Sequence, residues 1–352
     1  MRRLAFSSMV LTASLLVVAP GCKDKAADAD KAADKAGADK KASNDKKASD
    51  DKPTVANPDA VPKAAGTPVS AFPTSVALIP ESAEFVVGLN PKLIVASPMY
   101  ALAAPEMAKD EQAAAMMTSL KDCGIDPGKL DSVVVGLSSV TEDFVAVVMG
   151  QSVGTDAKAS CLIKTALEQA GAPEAAKVVT HEGKKMIQFT GGRAYLVDDR
   201  TLAVATTSWE AAVGGLIDGK GTSTISGAKK DLFAKVNPQT GVWGVADVPV
   251  QLSGMAPVMG LPAEMASVKT VSGSIDLRDG AAINLVAGFE GADKAKAVST
   301  QLTAMLGAAT VPPEFSNIAK TIKIEAVDTD LKISLSATMA DLNAAKAAAP
   351  PI

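Results

Sequence analysis

Aromatic side chains are scarce: Phe, Trp and Tyr make up 3% of the 352 residues. A core of any size must therefore be assembled from Ala, Val, Leu, Ile and Met, within an apolar fraction of 47%. There is a single histidine, His181, and there are three cysteines, Cys22, Cys123 and Cys161. That shortage removes most histidine-based triads and Cys/His metal sites, and no group of these residues has metal-ligand spacing. Excess basic charge is missing as well. With a net charge of −4 the chain lacks the concentrated positive surface that phosphate-backbone binding needs. No G-x-G-x-x-G, P-loop or G-x-S-x-G elbow occurs. His181 falls beside Glu182-Gly183 at an expected turn, where a lone imidazole is simply solvated. Asp198-Asp199 and Asp328-Thr329-Asp330 also sit in expected turns, without the further ligands of a calcium loop. No nucleophile or proton-transfer set is visible, so a non-enzyme with no cofactor, no metal and no nucleic-acid partner is expected.

What is present begins with a leader. Residues 1–21 read as a signal peptide: Arg2-Arg3, then a mostly apolar run from Leu4 to Val18, too short for a membrane span of about 20 residues. The run ends in Ala19-Pro20-Gly21-Cys22, followed by Lys23. This resembles the lipobox of bacterial lipoproteins, in which the cysteine becomes the acylated (palmitate-bearing) first residue. The resemblance implies lipid attachment at Cys22 and, with Lys rather than Asp next, release to the outer membrane, facing periplasm or exterior. The alternative is ordinary cleavage after Gly21 and a soluble secreted protein.

Residues 22–70 then read as a disordered linker. Lys23 to Lys52 mixes Lys and Asp with Ala, Ser, Gly and Asn and carries no large apolar residue, so it cannot bury enough surface to offset chain ordering. Pro53 to Pro68 continues it, and as a flexible coil such a tether spans roughly 35–40 Å.

The remainder reads as α+β in two similar parts, 71–227 and 228–349. The first is organised around a hairpin from Val133 to Met149, both arms rich in β-branched and large apolar residues. The second holds a matching hairpin from Val271 to Phe289 with its tip at Arg278-Asp279-Gly280. Each has a strand and a helical stretch before it, a helix and further strands after it. In the first part, a helix from Pro105 to Lys121 should stop at Cys123-Gly124. The order β-α-β-β-α-β, with added strands, implies two tandem ferredoxin-like repeats: mainly antiparallel sheets, helices on one face, each closing its own apolar interior.

The two parts differ in patterning. The first hairpin is apolar at nearly every position, as in strands covered on both faces. In the second, Val271, Ile275 and Leu277 alternate with Ser272, Ser274 and Asp276. Ile324 alternates with Lys323 and Glu325, and Ile333 with Lys332 and Ser334. Period two leaves one polar face open to water or a cleft. Ser272, Ser274, Asp276, Lys323, Glu325, Lys332 and Ser334 are therefore the candidate ligand face.

With Cys22 assigned to lipid, Cys123 and Cys161 form an even pair in an oxidising compartment, on stretches expected to be neighbouring helices. A disulfide between them is expected; the alternative is two unpaired thiols. The runs Ala77-Leu78-Ile79-Pro80, Phe85-Val86-Val87-Gly88, Cys123-Gly124-Ile125-Asp126-Pro127 and Ser160-Cys161-Leu162 resemble a group of uncharacterised envelope lipoproteins from Gram-negative bacteria. That resemblance implies the anchor and the disulfide, and brings no activity with it. The functional expectation is a lipid-anchored, non-catalytic interaction module meeting an envelope protein or small ligand. The alternative is a carrier of an apolar or lipid-like ligand.

Overall fold

The computed structural model describes residues 72–172, 176–181, 183–249 and 262–348. The leader, Cys22 and the linker lie outside these residues. Strands β1 (Phe85–Leu89), β2 (Leu130–Leu137), β3 (Phe144–Gly150), β4 (Lys177–His181), β5 (Lys184–Phe189), β6 (Gly192–Asp198) and β7 (Thr201–Thr206) come from the first part. The second supplies β8 (Val242–Asp247), β9 (Val268–Asp276), β10 (Gly280–Phe289), β11 (Lys323–Val327) and β12 (Asp330–Thr338). All twelve lie in one sheet, in the order β11-β12-β10-β9-β8-β1-β2-β3-β7-β6-β5-β4.

The ferredoxin-like order is not what forms. That order is a split βαβ, in which a helix crosses over to a parallel strand. Here β1 pairs directly and antiparallel with β2, and β8 with β9. An antiparallel neighbour starts where its partner ends, so the helical stretch after β1 makes an excursion and returns without crossing the sheet. That stretch holds α1 (Pro91–Ala96), α2 (Pro98–Met107) and α3 (Glu111–Asp122). The single helix expected from Pro105 to Lys121 is thus divided. Asp110 caps α3 by accepting from the Ala113 amide at 2.8 Å, and Pro105 falls in the last turn of α2. Cys123-Gly124 does end α3, with Gly124 at φ 66.

Both parts nevertheless trace one path. From the β1–β8 seam outward, β1-β2-β3-β7 mirrors β8-β9-β10-β12. After each hairpin a helix carries the chain to the sheet's outer region: α4 (Asp156–Gln169) in the first part, α7 (Ala292–Ala308) in the second. The chain then works back inward, through β4–β7 in one case and β11–β12 in the other.

Helices on one face describe neither part: in the second, the stretch around Lys230–Phe233 covers one face at β8 and β9, and Ala292–Ala308 covers the other. Cross-strand register puts Val134, Val145, Val147, Ala203 and Ala205 on one face, and Phe144, Ala146, Leu202 and Val204 on the other. The first face is covered by a 3₁₀ turn, Thr74–Leu78, by α5 (Glu210–Ile217) and by the stretch around α6 (Lys230–Phe233). The second lies beneath α4 and the α3 terminus, where Ala159, Ile163 and Leu167 are buried. Both faces being covered accounts for the continuous apolar pattern of the first hairpin. The interiors are also not separate: Val76, Val86 and Val134 share one core with Phe233, Trp243 and Val245. In the second part α7 packs Ala295 and Val298 against Phe289 and Leu331. The short α8 (Ser316–Lys320) and α9 (Met339–Ala348) complete the described chain.

Candidate functional site: the open face of the second strand set

The seven polar residues picked out by alternation do lie on one face of four adjacent strands. Residues directly opposite in an antiparallel pair share a face. One row across the sheet reads Glu325, Lys332, Val286, Ser272 and Val245; the next reads Lys323, Ser334, Asn284, Ser274 and Trp243. Asp276 follows beside Ala282 and Ser336. This is the same face that carries the Val86–Trp243 core on the neighbouring strands.

The face is uneven. At β10, β12 and β11 it is open: Asn284, Ser336, Lys323 and Glu325 are exposed, and Lys332 and Ser334 are half-buried. Among the described residues no ion pair involves Lys323, Glu325 or Lys332. At β9 it is closed. Ser272 is 2% and Ser274 6% exposed, because α6 packs against β8 and β9. Among the described residues Ser272 Oγ has no hydrogen-bond partner, and a buried hydroxyl left so costs about 1–3 kcal/mol.

Two ion pairs frame the face. Lys235, just past α6, reaches Asp330 at 2.8 Å and bridges the covering segment to β12. Nearer the seam, the Lys229 ammonium is nearly enclosed and meets Asp247 at 2.7 Å. At the hairpin tip, the Arg278 Nε–H donates to both oxygens of Asp276 at 2.9 and 3.0 Å. The hydrogen bond from the Arg278 side chain holds the Asp276 carboxyl below the usual carboxylate range, and the same bond raises Arg278. Asp276 is thus engaged with its own turn and is not available to a ligand. Asn284, Lys229 and Lys235 were not singled out from the sequence. Asn284 stands alone among Ala282, Val286 and Gly288 on its face, so no alternation marks it, and the two lysines enter through a loop that no local pattern places.

Elsewhere the structure offers little convergent chemistry. His181 ends the edge strand β4 opposite Lys184. Asp198 Oδ1 accepts from the Arg200 amide at 2.7 Å, an ordinary Asx turn, and Asp328 takes φ 53 in the β11–β12 turn. Among the described residues no group of His, Cys, Asp and Glu could hold a metal ion, and no helix is long and apolar enough to cross a membrane. An apolar surface cleft of about 480 Å³ lies between Met117, Lys121, Ile125 and Pro127; a polar one of about 650 Å³ lies between Lys92, Lys129, Gln151 and Arg200. Both open widely to solvent. Cys123 and Cys161 are joined by a disulfide with Cα atoms 5.5 Å apart, stapling the end of α3 to α4.

Fold and face define an α+β protein on one continuous antiparallel sheet, with a disulfide-fastened helical arm and a partly uncovered polar face. No protein-family model and no curated protein matches the sequence. The chain is similar to solved structures of TP0453. Crystal form I is 10% identical, with 78% of this chain and 97% of that one covered at a TM-score of 0.44. Form IV is 8% identical, with coverage of 78% and 96% at a TM-score of 0.46.

Proposed function

We propose that this protein is a lipid-anchored envelope protein, of the uncharacterised Gram-negative lipoprotein type, and a non-catalytic interaction module. Its contact surface is the open strip of β10, β12 and β11, where Lys323, Glu325, Lys332, Ser334 and Asn284 stand side by side. One observation carries this reading. Three charged side chains, with no ionic partner among the described residues, share one face of adjacent strands in a sheet otherwise covered where its strands are apolar. A row of mixed charge favours a protein partner of complementary pattern, because charge arrangement sets register and excludes wrong partners. The anchor at Cys22 would hold the module at the outer membrane, and the residues up to 70 would give it reach. The two parts, 71–227 and 228–349, are on this reading a duplicated unit in which only the second kept a free face. The carrier alternative needs an enclosed apolar cavity, and the apolar cleft beside Met117 is a surface groove.

The test is site-specific photo-crosslinking in the intact envelope, with the probe at Asn284 or Ser334. A discrete adduct that disappears with Glu325→Lys and Lys332→Glu, while the variant keeps its abundance and disulfide, supports the reading. Adducts unchanged by charge reversal, or none, would refute it.

A further inference from the structure

The sheet ends at β11, and among the described residues no strand pairs with its outer side. Backbone geometry fixes which groups that side offers. Ser336 on β12 turns both its backbone groups toward β11: the N–H donates to Thr321 Oγ1 at 3.0 Å, and the C=O accepts from the same hydroxyl at 2.6 Å. On the other side of β12, the Thr329 C=O accepts from the Phe289 N–H at 2.9 Å. Even-numbered residues of β12 therefore face β11, and their partners Lys323, Glu325 and Val327 face back. Ile324 and Ala326 are left to direct N–H and C=O off the edge.

This edge also carries charges of both signs. Lys323 and Glu325 are exposed, two residues apart and on one face. If the strand pairs antiparallel with its own copy, the register decides what these charges meet. Centred on Glu325, the two carboxylates oppose each other; centred on Lys323, the two ammonium groups do. Centred on Ile324, Lys323 lies opposite Glu325 on both sides of the axis, and opposite charges across strands stabilise where like charges destabilise.

We propose that this protein forms a two-fold dimer through β11, paired antiparallel about Ile324 with the β11 of a second copy. Ile324 exchanges both hydrogen bonds with the partner's Ile324, and the Ala326 N–H meets the C=O of the partner's Ile322. The Ile322 N–H is not needed, since it already donates to the Ala319 C=O at 3.2 Å. Lys323 and the partner's Glu325 form a non-hydrogen-bonded pair, the arrangement that brings side chains closest. The exposed Val327 comes to lie opposite the partner's Thr321. The other end strand, β4, carries Lys177 and His181 and no acidic residue, so it has no such complement. The dimer would double the sheet and join two open strips into one face. It goes beyond the interaction reading and does not depend on it, because it uses a strand edge and leaves Lys332, Ser334 and Asn284 uncovered.

The experiment uses the chain from residue 22 with Cys22→Ser, so that an introduced cysteine is the one free thiol beside the native disulfide. Under mild oxidation, a mixture of Lys323→Cys and Glu325→Cys chains should form a covalent dimer, because the Cα atoms of such a pair stand about 4.5 Å apart, within disulfide reach. Either variant alone should give far less. In sedimentation equilibrium, Lys323→Glu and Glu325→Lys should each weaken the dimer about tenfold, since each sets like charges opposite one another. Mixing those two variants should restore the original affinity, with circular dichroism unchanged throughout. A monomer at every concentration, or faster linking of Glu325→Cys alone, would overturn the proposal. So would oligomers that grow past the dimer, the sign of β4 meeting β11 head to tail.

Discussion

Trp243 and Gly88 face each other across the seam where the two parts of the chain meet. They are direct partners in the β1–β8 register, and the indole occupies the space that a side chain at 88 would fill. A Cβ at that position would overlap the Trp243 ring. Phe72 and Phe233 then pack edge-on against the same indole, so three of the few aromatics in the chain gather at one point.

Gly88→Ala should therefore cost about 1–3 kcal/mol by overpacking. Trp243→Ala should cost about 3–5 kcal/mol by cavity formation. Urea unfolding followed by circular dichroism reads both. The pair must be strongly non-additive, since Gly88→Ala loses its clash once the indole is gone. Additive losses would show that the seam is not held this way.

The Cys123–Cys161 bond closes a loop with a sequence separation of 38. In the chain-entropy picture this is worth about 4 kcal/mol. No residue of α2 or α3 is buried, so reduction should loosen the arm first. The expected result is earlier proteolysis within Pro98–Asp122 than within the strands, together with a lower urea midpoint. Cys123→Ser should reproduce both effects.

Asp143 joins the β2–β3 tip to the start of α5. Partial burial pushes its carboxyl up, but hydrogen bonds from Ser208, Thr141 and Thr206 outweigh this and hold it below the ordinary 3.8. A carboxyl with a depressed folded pKa contributes stability that is complete above the unfolded value and is lost as pH falls through the folded one. Unfolding free energy should thus fall by a modest amount on acidification below about pH 4. Asp143→Asn should remove that increment while leaving the contributions of Asp276 and Asp341, also depressed, in place.

Lys229→Met should be tolerated better than Asp247→Ala. Replacing the enclosed ammonium keeps its aliphatic packing and frees a half-exposed carboxylate to hydrate. Removing Asp247 leaves a cation that is only 8% exposed without its partner. Thermal unfolding of the two variants gives the order directly.

Mass spectrometry of the mature protein should show a chain beginning at an acylated Cys22, and Cys22→Ser should release the protein from membranes. A mature chain of unmodified mass would defeat the anchoring proposal.

The sequence by itself determined the faces. Alternation in Val271–Leu277 and Leu331–Ala337 decided which side chains share a side, because strand geometry admits only a period of two. It also placed the hairpins, the stop at Gly124 and the pairing of Cys123 with Cys161, all set by local backbone chemistry or by an even count of thiols. Tertiary structure alone decided that the two parts form one sheet. Joining β1 to β8 links residues more than 150 positions apart through backbone groups that every strand offers alike. Side-chain pattern cannot distinguish that partner from any other exposed edge. The burial of Ser272 and Ser274 was illegible for the same reason: the segment that covers them arrives from a distant loop, and nothing in its own sequence names the strand beneath it.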